Sequence, residues 1–379
     1  MPSANLERPD LESLPLSDEN GLIRSAGINT LLDRIVAGDT SDRHWPERVW
    51  ELYREFGVLS WVIPQEFGGD AISSEELTHG YLRLAAADLT STFVLTQRNG
   101  ACQRLAGSDN AELKAELLPR FGRGEAFSTV GISHLTTSGQ HLKKPAVRLS
   151  QADGDFVLDG RIPWVTGANH ADWILAGGTM DDGRQALFML PTDLPGVQIE
   201  SPPELLAFTG SQTGAVRLEQ VRLSRTHLVA GPIENVMKSG SGGGTGSLTT
   251  SALAAGHAAG LLNRLADEAE RRADLVDSYT SLKRAHQSLL DDLVTRANDP
   301  ESTEPRLSNE AIRQTANSLV LRIAQTYLAA VKGAGFLSGH PAEQGVREAM
   351  FFLVWSCPQP VLNAQIREFA CGFQGDGEL

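Results

Sequence analysis

The stretch Phe156-Val-Leu-Asp-Gly-Arg-Ile-Pro-Trp-Val-Thr166 decides the fold class of this 379-residue chain. It contains Asp159-Gly160, a dipeptide typical of tight turns, between two apolar segments, and this pattern predicts a β-hairpin. Apolar residues alternate again in Gly214–Leu223, where a change of phase at Glu219-Gln220 predicts a bulge or a strand end. Further strands are predicted at Trp173–Ala176 and Ala186–Leu190. Several short strands at this spacing indicate a β-barrel or β-sandwich.

Helical patterns flank this β region on both sides. Before it, Leu31, Leu32 and Ile35 begin a series of apolar residues at three-and-four spacing. After it, one continuous apolar stripe from Ile312 to Val331 predicts a long amphipathic helix. The small-residue segment Ala254–Gly260 is suited to close packing against another helix.

These patterns together predict an α+β protein with an unusual order of parts. We expect an N-terminal helical bundle at residues 1–125, a β-barrel or β-sandwich domain at 126–232, and a C-terminal four-helix bundle at 247–379. The glycine-rich stretch at 239–246 invites comparison with a phosphate-binding loop. It lacks the required glycine spacing and any Gly-Lys-Ser/Thr, so we interpret it as a linker.

Composition excludes several classes of protein. With 41% hydrophobic and 21% charged residues, the chain is neither disordered, collagen-like nor a disulfide scaffold. The 33 basic and 47 acidic residues give a net charge of −14, which argues against nucleic acid as a partner but not against a polyanionic cofactor. Three cysteines without CxxC and nine histidines without HExxH indicate no metal site.

No targeting or membrane segment is expected from the sequence. The first residues are polar and acidic, and they lack the apolar core of a signal peptide. The longest apolar run, Ala349–Trp355, is far below the ~20 residues of a membrane helix. We therefore expect a cytoplasmic protein without a membrane span.

Trp164-Val-Thr166 is a candidate binding segment at a strand end. An indole there can lie against a planar ring, and the threonine hydroxyl can hydrogen-bond a ring heteroatom. The alternative is a tryptophan of the hydrophobic core, which is the more common role of a strand tryptophan.

Four motifs in order resemble the acyl-CoA dehydrogenase family. They are Trp61-Val-Ile-Pro-Gln-Glu-Phe-Gly-Gly69, the segment 107–125 with Leu118-Pro119 and Gly124-Glu125, Leu158-Asp-Gly-Arg-Ile-Pro-Trp-Val-Thr166, and Gly333-Ala-Gly-Phe336 followed by Pro341 and Arg347-Glu-Ala349. The helix–β–helix order is also that of the family, so the resemblance spans about residues 20–370.

The resemblance implies a non-covalently bound FAD between the β domain and the C-terminal bundle. By position, Trp164 packs on the isoalloxazine ring and Thr166 hydrogen-bonds near the reactive N5 edge. Ile132-Ser133-His134-Leu135 aligns with the family's Leu-Thr-Glu-Pro, so Ser133 keeps a hydroxyl for the pyrimidine edge while the Glu-Pro pair is lost. Ile132 and Ser133 are therefore expected to contact the cofactor.

Other cofactor contacts are implied in the C-terminal region. Gly333 and Gly335 let the backbone approach the adenosine diphosphate of a neighbouring subunit's FAD. Either Arg271 or Arg272 stands for the arginine of the family's Arg-x-x-Phe-Gly motif, and we favour Arg272; its alternative role is a solvated charge pair. The resemblance also implies a homodimer or homotetramer.

The chain departs from the family at the catalytic base. A typical member removes an α-proton from an acyl-CoA thioester with a glutamate while a β-hydride goes to flavin N5. Here the base position is Ser356, and the position used by a minority of members falls near Thr249. Cys357 offers a thiol that either acts as a thiolate or packs as a small apolar group. Pro358 and Pro360 alter the local backbone.

Three functions remain open on this basis. The first is an FAD-dependent acyl-CoA dehydrogenase with an unplaced base, which passes electrons to an electron-transfer flavoprotein. The second is a flavin-dependent monooxygenase or oxidase on the same scaffold, whose flavin is reduced by a partner flavin reductase. The third is a flavin-binding relative without dehydrogenase activity. The retained Trp164 and Thr166 count against a purely structural role.

Overall fold

The computed structural model describes residues 6–9, 11, 25–38, 41–136, 144–238 and 247–371. The segment 239–246, predicted to be a linker, lies outside these residues. The helices are α1 Ser25–Val36, α2 Glu47–Glu55, α3 Ser74–Ala87, α4 Leu89–Ala106, α5 Ala111–Gly122, α6 Ser133–Thr136, α7 Leu248–Arg271, α8 Val276–Asn298, α9 Asn309–Val331, α10 Pro341–Phe351 and α11 Gln359–Cys371. The strands are β1 Ser128–Gly131, β2 Val147–Ala152, β3 Asp155–Val165, β4 Trp173–Thr179, β5 Gln185–Pro191, β6 Val197–Ile199, β7 Gly214–Leu223 and β8 Leu228–Ile233. The predicted order of helices, strands and helices is confirmed.

The chain divides into two compact units. The helical unit contains residues 1–40, 73–92 and 245–379, and the sheet unit contains residues 41–72 and 93–244. These units interleave along the sequence, and the boundary falls within α4. The three-domain division at 1–125, 126–232 and 247–379 stays a prediction.

The sheet unit is built on one eight-stranded mixed sheet. Its strand order is β6-β7-β3-β2-β4-β5-β8. β1 pairs in parallel with the first residues of β4, and β2 pairs in parallel with Thr179 at the other end of that strand. One core of the unit is formed by apolar side chains such as Phe156, Ile162 and Phe188, which are at most 1% exposed.

The hairpin predicted at Asp159-Gly160 is wrong in position. β3 runs through this dipeptide, and the hairpin turn lies instead at Asp153-Gly154, where both φ angles are positive as a tight hairpin turn requires. Gly160 instead lies too close to neighbouring backbone to carry a side chain, because a Cβ there would be 2.2 Å from the backbone oxygen of Ala146. A turn dipeptide and a close-contact glycine look alike in sequence.

Of the two alternatives predicted at Glu219-Gln220, a bulge or a strand end, the structure has the bulge. Leu158 pairs with Val221 and Gly160 pairs with Leu218, so β7 carries one residue more than β3 over this stretch. Gln220 has a φ of +51°, and its backbone N–H donates to Asp159 Oδ2 at 3.2 Å. The side chain of Asp159 therefore stabilises the bulge.

The helical unit packs its small-residue segment against α3. A Cβ at Gly256 would lie 2.3 Å from the backbone oxygen of Leu82, and a Cβ at Gly260 would lie 2.5 Å from that of Ala86. The close helix contact predicted for Ala254–Gly260 is thus confirmed. Among the described helices, none is long and apolar enough to cross a membrane.

Candidate functional site

Trp164 is held outward by a bulge in β3. Ile162 pairs with Val216 while Val165 pairs with Gly214, so β3 has one extra residue at Pro163-Trp164. Ile162 and Val165 are both fully buried although three positions separate them, which strict alternation forbids without a bulge. The bulge leaves the Trp164 side chain 49% exposed. The alternative of a core tryptophan is therefore wrong.

Thr166 lies at the end of a short chain of buried hydroxyls. Thr166 Oγ1 is 3.0 Å from Thr213 Oγ1, which is 2.7 Å from Ser211 Oγ. The loop is fixed by Gly167, whose N–H donates to the Ser211 carbonyl at 2.9 Å. A hydroxyl offers one donor and two acceptor positions, so Thr166 keeps capacity for another partner. No motif in the sequence indicates Ser211 or Thr213.

Ile132 and Ser133 lie beside β3. They follow β1, and a Cβ added at Gly131 would be 3.1 Å from Val165 Cγ2 and 3.2 Å from Ile162 Cγ2. Helix α6, which begins at Ser133, also contacts β3. Four residues predicted to bind the cofactor thus share one region of the sheet unit. We call it the Trp164 patch, defined as Ile132, Ser133, Trp164 and Thr166.

His134 supplies a buried acceptor next to the Trp164 patch. Its Nε2 lies 3.0 Å from the carbonyl oxygen of Gly177, so Nε2 carries the proton because a carbonyl only accepts. Nδ1 is buried and has no hydrogen-bond partner within the described part of the chain. Burial lowers the pKa of this imidazole. By the resemblance, His134 stands where the family has a glutamate, but the sequence did not indicate this geometry.

Arg272 and Gly333 lie at one end of α9 in the helical unit. Arg272 Nη1 donates to the carbonyl oxygen of Ala330 at 2.7 Å, and Nη2 is 2.6 Å from Asp274 Oδ2. The charge pair considered as an alternative for Arg272 therefore exists. Gly333 is exposed with open space at its Cβ position, whereas a Cβ at Gly335 would lie 2.6 Å from Val331 Cγ2. Gly335 thus has a packing reason to lack a side chain.

Ser356 lies in the turn between α10 and α11, here called the Ser356 turn and defined as residues 352–358. Its φ is +45°, a conformation that L-residues rarely adopt. The Ser356 hydroxyl forms no hydrogen bond with a histidine or a carboxylate in the described residues. Burial raises the pKa of the neighbouring Cys357 thiol, against the opposing charge of Arg313. Neither side chain is therefore activated as a base.

Thr249, at the position used by a minority of the family, has no carboxylate, and Glu368, the next acidic residue along the chain after Ser356, is engaged in other contacts. Thr249 lies in the first turn of α7. Glu368 binds Arg322 Nη2 and Ser318 Oγ, each at 2.7 Å, and these hydrogen bonds lower the pKa of its carboxyl. Within the described ranges, no group of histidine, cysteine, aspartate and glutamate side chains is arranged to hold a metal ion.

Comparison with known protein sequences finds relatives over part of the chain. The family model described as "Acyl-CoA dehydrogenase, N-terminal domain" matches residues 28–125. An L-prolyl-[peptidyl-carrier protein] dehydrogenase from Pseudomonas fluorescens is 24% identical over 196 residues, which are 50% of this chain and 51% of that protein. The matched region thus spans between about a third and two thirds of the length of the curated relatives.

Solved structures match over nearly the whole chain. A glutaryl-coenzyme A dehydrogenase in complex with glutaryl-CoA has a TM-score of 0.76 at 17% identity, covering 94% of this chain and 97% of that one. Dibenzothiophene monooxygenase (TdsC) from Paenibacillus sp. A11-2 has a TM-score of 0.71 at 16% identity, covering 92% and 97%. These similarities show a shared fold.

Proposed function

Because this chain is a relative of the acyl-CoA dehydrogenases, with their N-terminal domain at residues 28–125 and their fold along its length, we propose that it is an FAD-dependent oxidoreductase. Its proposed reaction is the α,β-dehydrogenation of an acyl thioester. The observation that carries the proposal is Trp164, a large indole that a strand bulge presents outward beside a hydroxyl. Such bulges re-aim side chains and are common next to active sites.

The Trp164 patch fits a flavin in its chemistry. The planar ring system of a flavin can stack on the exposed indole. Nearby hydroxyls can hydrogen-bond to the heteroatoms at the edges of the flavin. The unpartnered Nδ1 of His134 offers an acceptor to an N–H group, and a flavin pyrimidine ring carries one. Bound FAD would supply the two-electron acceptor of the reaction.

Each residue of the Trp164 patch is proposed to make a different contact with the flavin. We assign stacking to Trp164, a hydrogen bond at the reactive edge to Thr166, and a hydrogen bond at the pyrimidine edge to Ser133. Ile132 provides an apolar contact on the same segment. The partners Thr213 and Ser211 orient the Thr166 hydroxyl, because they fix one of its hydrogen-bond directions.

We assign the second set of cofactor contacts to Arg272, Gly333 and Gly335. Gly333 presents exposed backbone that a phosphate group can approach. Phe336 and Leu337 next to it are 79% and 66% exposed. We propose that this region meets another copy of the chain, as a homodimer or homotetramer; light scattering of the purified protein tests this, and a monomer would contradict it.

An acyl thioester is the proposed substrate class because the relatives are dehydrogenases of thioesters by name. The test is an anaerobic titration of the purified protein with a panel of acyl-CoAs and acyl-carrier-protein thioesters, followed by flavin absorbance. Bleaching by one class supports dehydrogenation. A protein that purifies without flavin and does not bind added FAD would contradict the flavoenzyme itself.

A second function is favoured by one observation, the absence of an activated base at Ser356. Reaction of a reduced flavin with oxygen requires no carboxylate that takes a proton from the substrate, and the fold is shared with a monooxygenase. Oxygen consumption that depends on a flavin reductase, together with no bleaching by any thioester, would select this function. An electron-transfer flavoprotein is the acceptor to test for the first function.

A further inference from the structure

A buried polar cluster in the helical unit is not used by the proposed reaction. The Arg313 cluster consists of Arg313 and Asn317 on α9, Cys357 in the Ser356 turn, and Gln365 on α11. Arg313, Asn317 and Gln365 are 1%, 0% and 2% exposed. Polar groups this deeply buried are normally fully hydrogen-bonded.

Hydrogen bonds to backbone carbonyls and one contact between side chains hold these residues together. Arg313 Nη2 donates to the carbonyl oxygens of Phe352 at 3.1 Å and Trp355 at 2.9 Å. Asn317 Nδ2 donates to the same Phe352 oxygen at 2.9 Å. Gln365 Oε1 lies 4.0 Å from Cys357 Sγ. The cluster therefore joins α9, the Ser356 turn and α11.

Four atoms of the cluster are left without partners in the described chain. They are Arg313 Nε and Nη1, Gln365 Nε2 and Asn317 Oδ1. A guanidinium has five N–H groups, and the two on Nη2 bind carbonyls, so three remain. The guanidinium also forms no ion pair with any carboxylate of the residues the structure describes. Three of the four atoms are donors, which indicates an acceptor as their missing partner.

The charge of the cluster is not neutralised from within. Burial lowers the pKa of Arg313 to about 10, so the guanidinium remains positive at neutral pH. Burial raises the pKa of the Cys357 thiol, which is therefore uncharged and does not serve as the counter-ion. A buried charge without a charged partner is unfavourable, so an anion is the acceptor that would stabilise the guanidinium most.

We propose that the Arg313 cluster binds a small monovalent anion such as a halide. The anion accepts hydrogen bonds from the Arg313 guanidinium and the Gln365 amide. Asn317 Oδ1 accepts a hydrogen bond from a water molecule that also hydrates the anion. Since the same guanidinium binds the Trp355 carbonyl, the anion also stabilises the backbone of the Ser356 turn. This inference does not rest on the proposed function.

The test is thermal unfolding of the full chain with its cofactor in chloride or bromide, with gluconate keeping the ionic strength constant. A site in the folded state predicts a saturable rise in Tm of roughly 2–4 °C. Crystals grown in bromide should show an anomalous peak at the Arg313 guanidinium. No saturable halide effect, or bromide elsewhere only, would overturn the proposal.

Two variants make the test specific. Gln365→Glu supplies a negative charge in place of an amide nitrogen that has no partner, so it should raise the Tm in gluconate and abolish the halide effect. Gln359→Glu, an exposed residue on the same helix, is the matched control and should keep the halide effect. A Gln365→Glu protein that still responds to halide like the wild type would contradict the site.

A third variant distinguishes an internal thiolate. If Cys357 were the counter-ion of Arg313, the wild type would show no halide dependence and Cys357→Ser would create it; this result would overturn the proposal. We expect instead that wild type and Cys357→Ser show the same saturable dependence, because the thiol is uncharged.

Discussion

The Trp164 patch and the Ser356 turn differ in how far they keep the pattern of the acyl-CoA dehydrogenases. In the patch, the sequence motif and the geometry agree: a bulge presents Trp164, and hydroxyls orient Thr166. In the turn, the position that the resemblance assigns to the catalytic acid holds Ser356 at a φ of +45°, and buried Arg313 binds the backbone. The difference teaches that the residues proposed to bind the cofactor keep the side chains that the resemblance implies, whereas the position proposed for the base does not.

The largest expected effect is on cofactor binding at the patch. Trp164→Ala removes the stacking surface, and we expect FAD to bind about 30-fold more weakly, which corresponds to about 2 kcal/mol. Equilibrium titration of the apoprotein with FAD measures this change. Trp164→Phe is the control and should retain most of the affinity. Equal affinity of the alanine variant and the wild type would break the comparison.

The reactivity of Cys357 sharpens the other side of the comparison. Burial raises its thiol pKa, so little thiolate is present at neutral pH and alkylation accelerates only as the pH rises. We expect Cys357 to react at least roughly tenfold more slowly than exposed Cys371 at pH 7. Mass spectrometry after timed alkylation measures both rates. A faster Cys357 would reveal an activated nucleophile in the Ser356 turn.

Thr166→Val tests the hydroxyl chain with a smaller effect. The substitution keeps the shape and removes one hydrogen bond, while Thr213 keeps its bond to Ser211. We expect a loss of about 1 kcal/mol in unfolding free energy and a shift in the visible flavin spectrum. Thr209→Val on the adjacent loop is the control for stability and should leave the spectrum unchanged. An unaltered spectrum in Thr166→Val would place the flavin edge elsewhere.

Ser356→Glu is expected to have the smallest effect. Restoring an acid at the family's base position should not confer acyl-CoA oxidation, because the turn has an uncommon backbone angle and is bound by Arg313. Stopped-flow reduction by acyl-CoAs, compared with Ser356→Ala, measures the result. A robust gain of flavin reduction would show that the Ser356 turn is close to the family pattern.

Local patterns predicted the parts of the fold that depend on neighbouring residues. The change of phase at Glu219-Gln220 marked a real bulge, and the small residues of Ala254–Gly260 marked a close helix contact. The second bulge, at Pro163-Trp164, was not predicted. Its evidence is that Ile162 and Val165 are both buried, and the sequence alone does not show their burial. Asp159-Gly160 misled because its glycine avoids a clash with the backbone of Ala146, which is remote in the sequence but hydrogen-bonds beside Gly160 in the sheet.

The candidate site was predictable only where a motif names its residues. Trp164 and Thr166 were predicted from their place at a strand end and from the resemblance, Ser133 was predicted from the resemblance alone, and the structure adds that they share one patch. Thr213 and His134 act through partners distant in sequence, and single-sequence patterns carry no such information. The Arg313 cluster is invisible for the same reason, since Arg313 and Gln365 each look like an ordinary polar residue of an amphipathic helix.

The central claim is that a flavin binds at the Trp164 patch, and a structure of the chain with bound FAD tests it most directly. We predict that the isoalloxazine ring contacts the Trp164 indole and that a flavin edge lies within hydrogen-bond distance of Thr166 Oγ1. A ring bound away from both residues, or a patch covered by the chain's own side chains, would contradict the account.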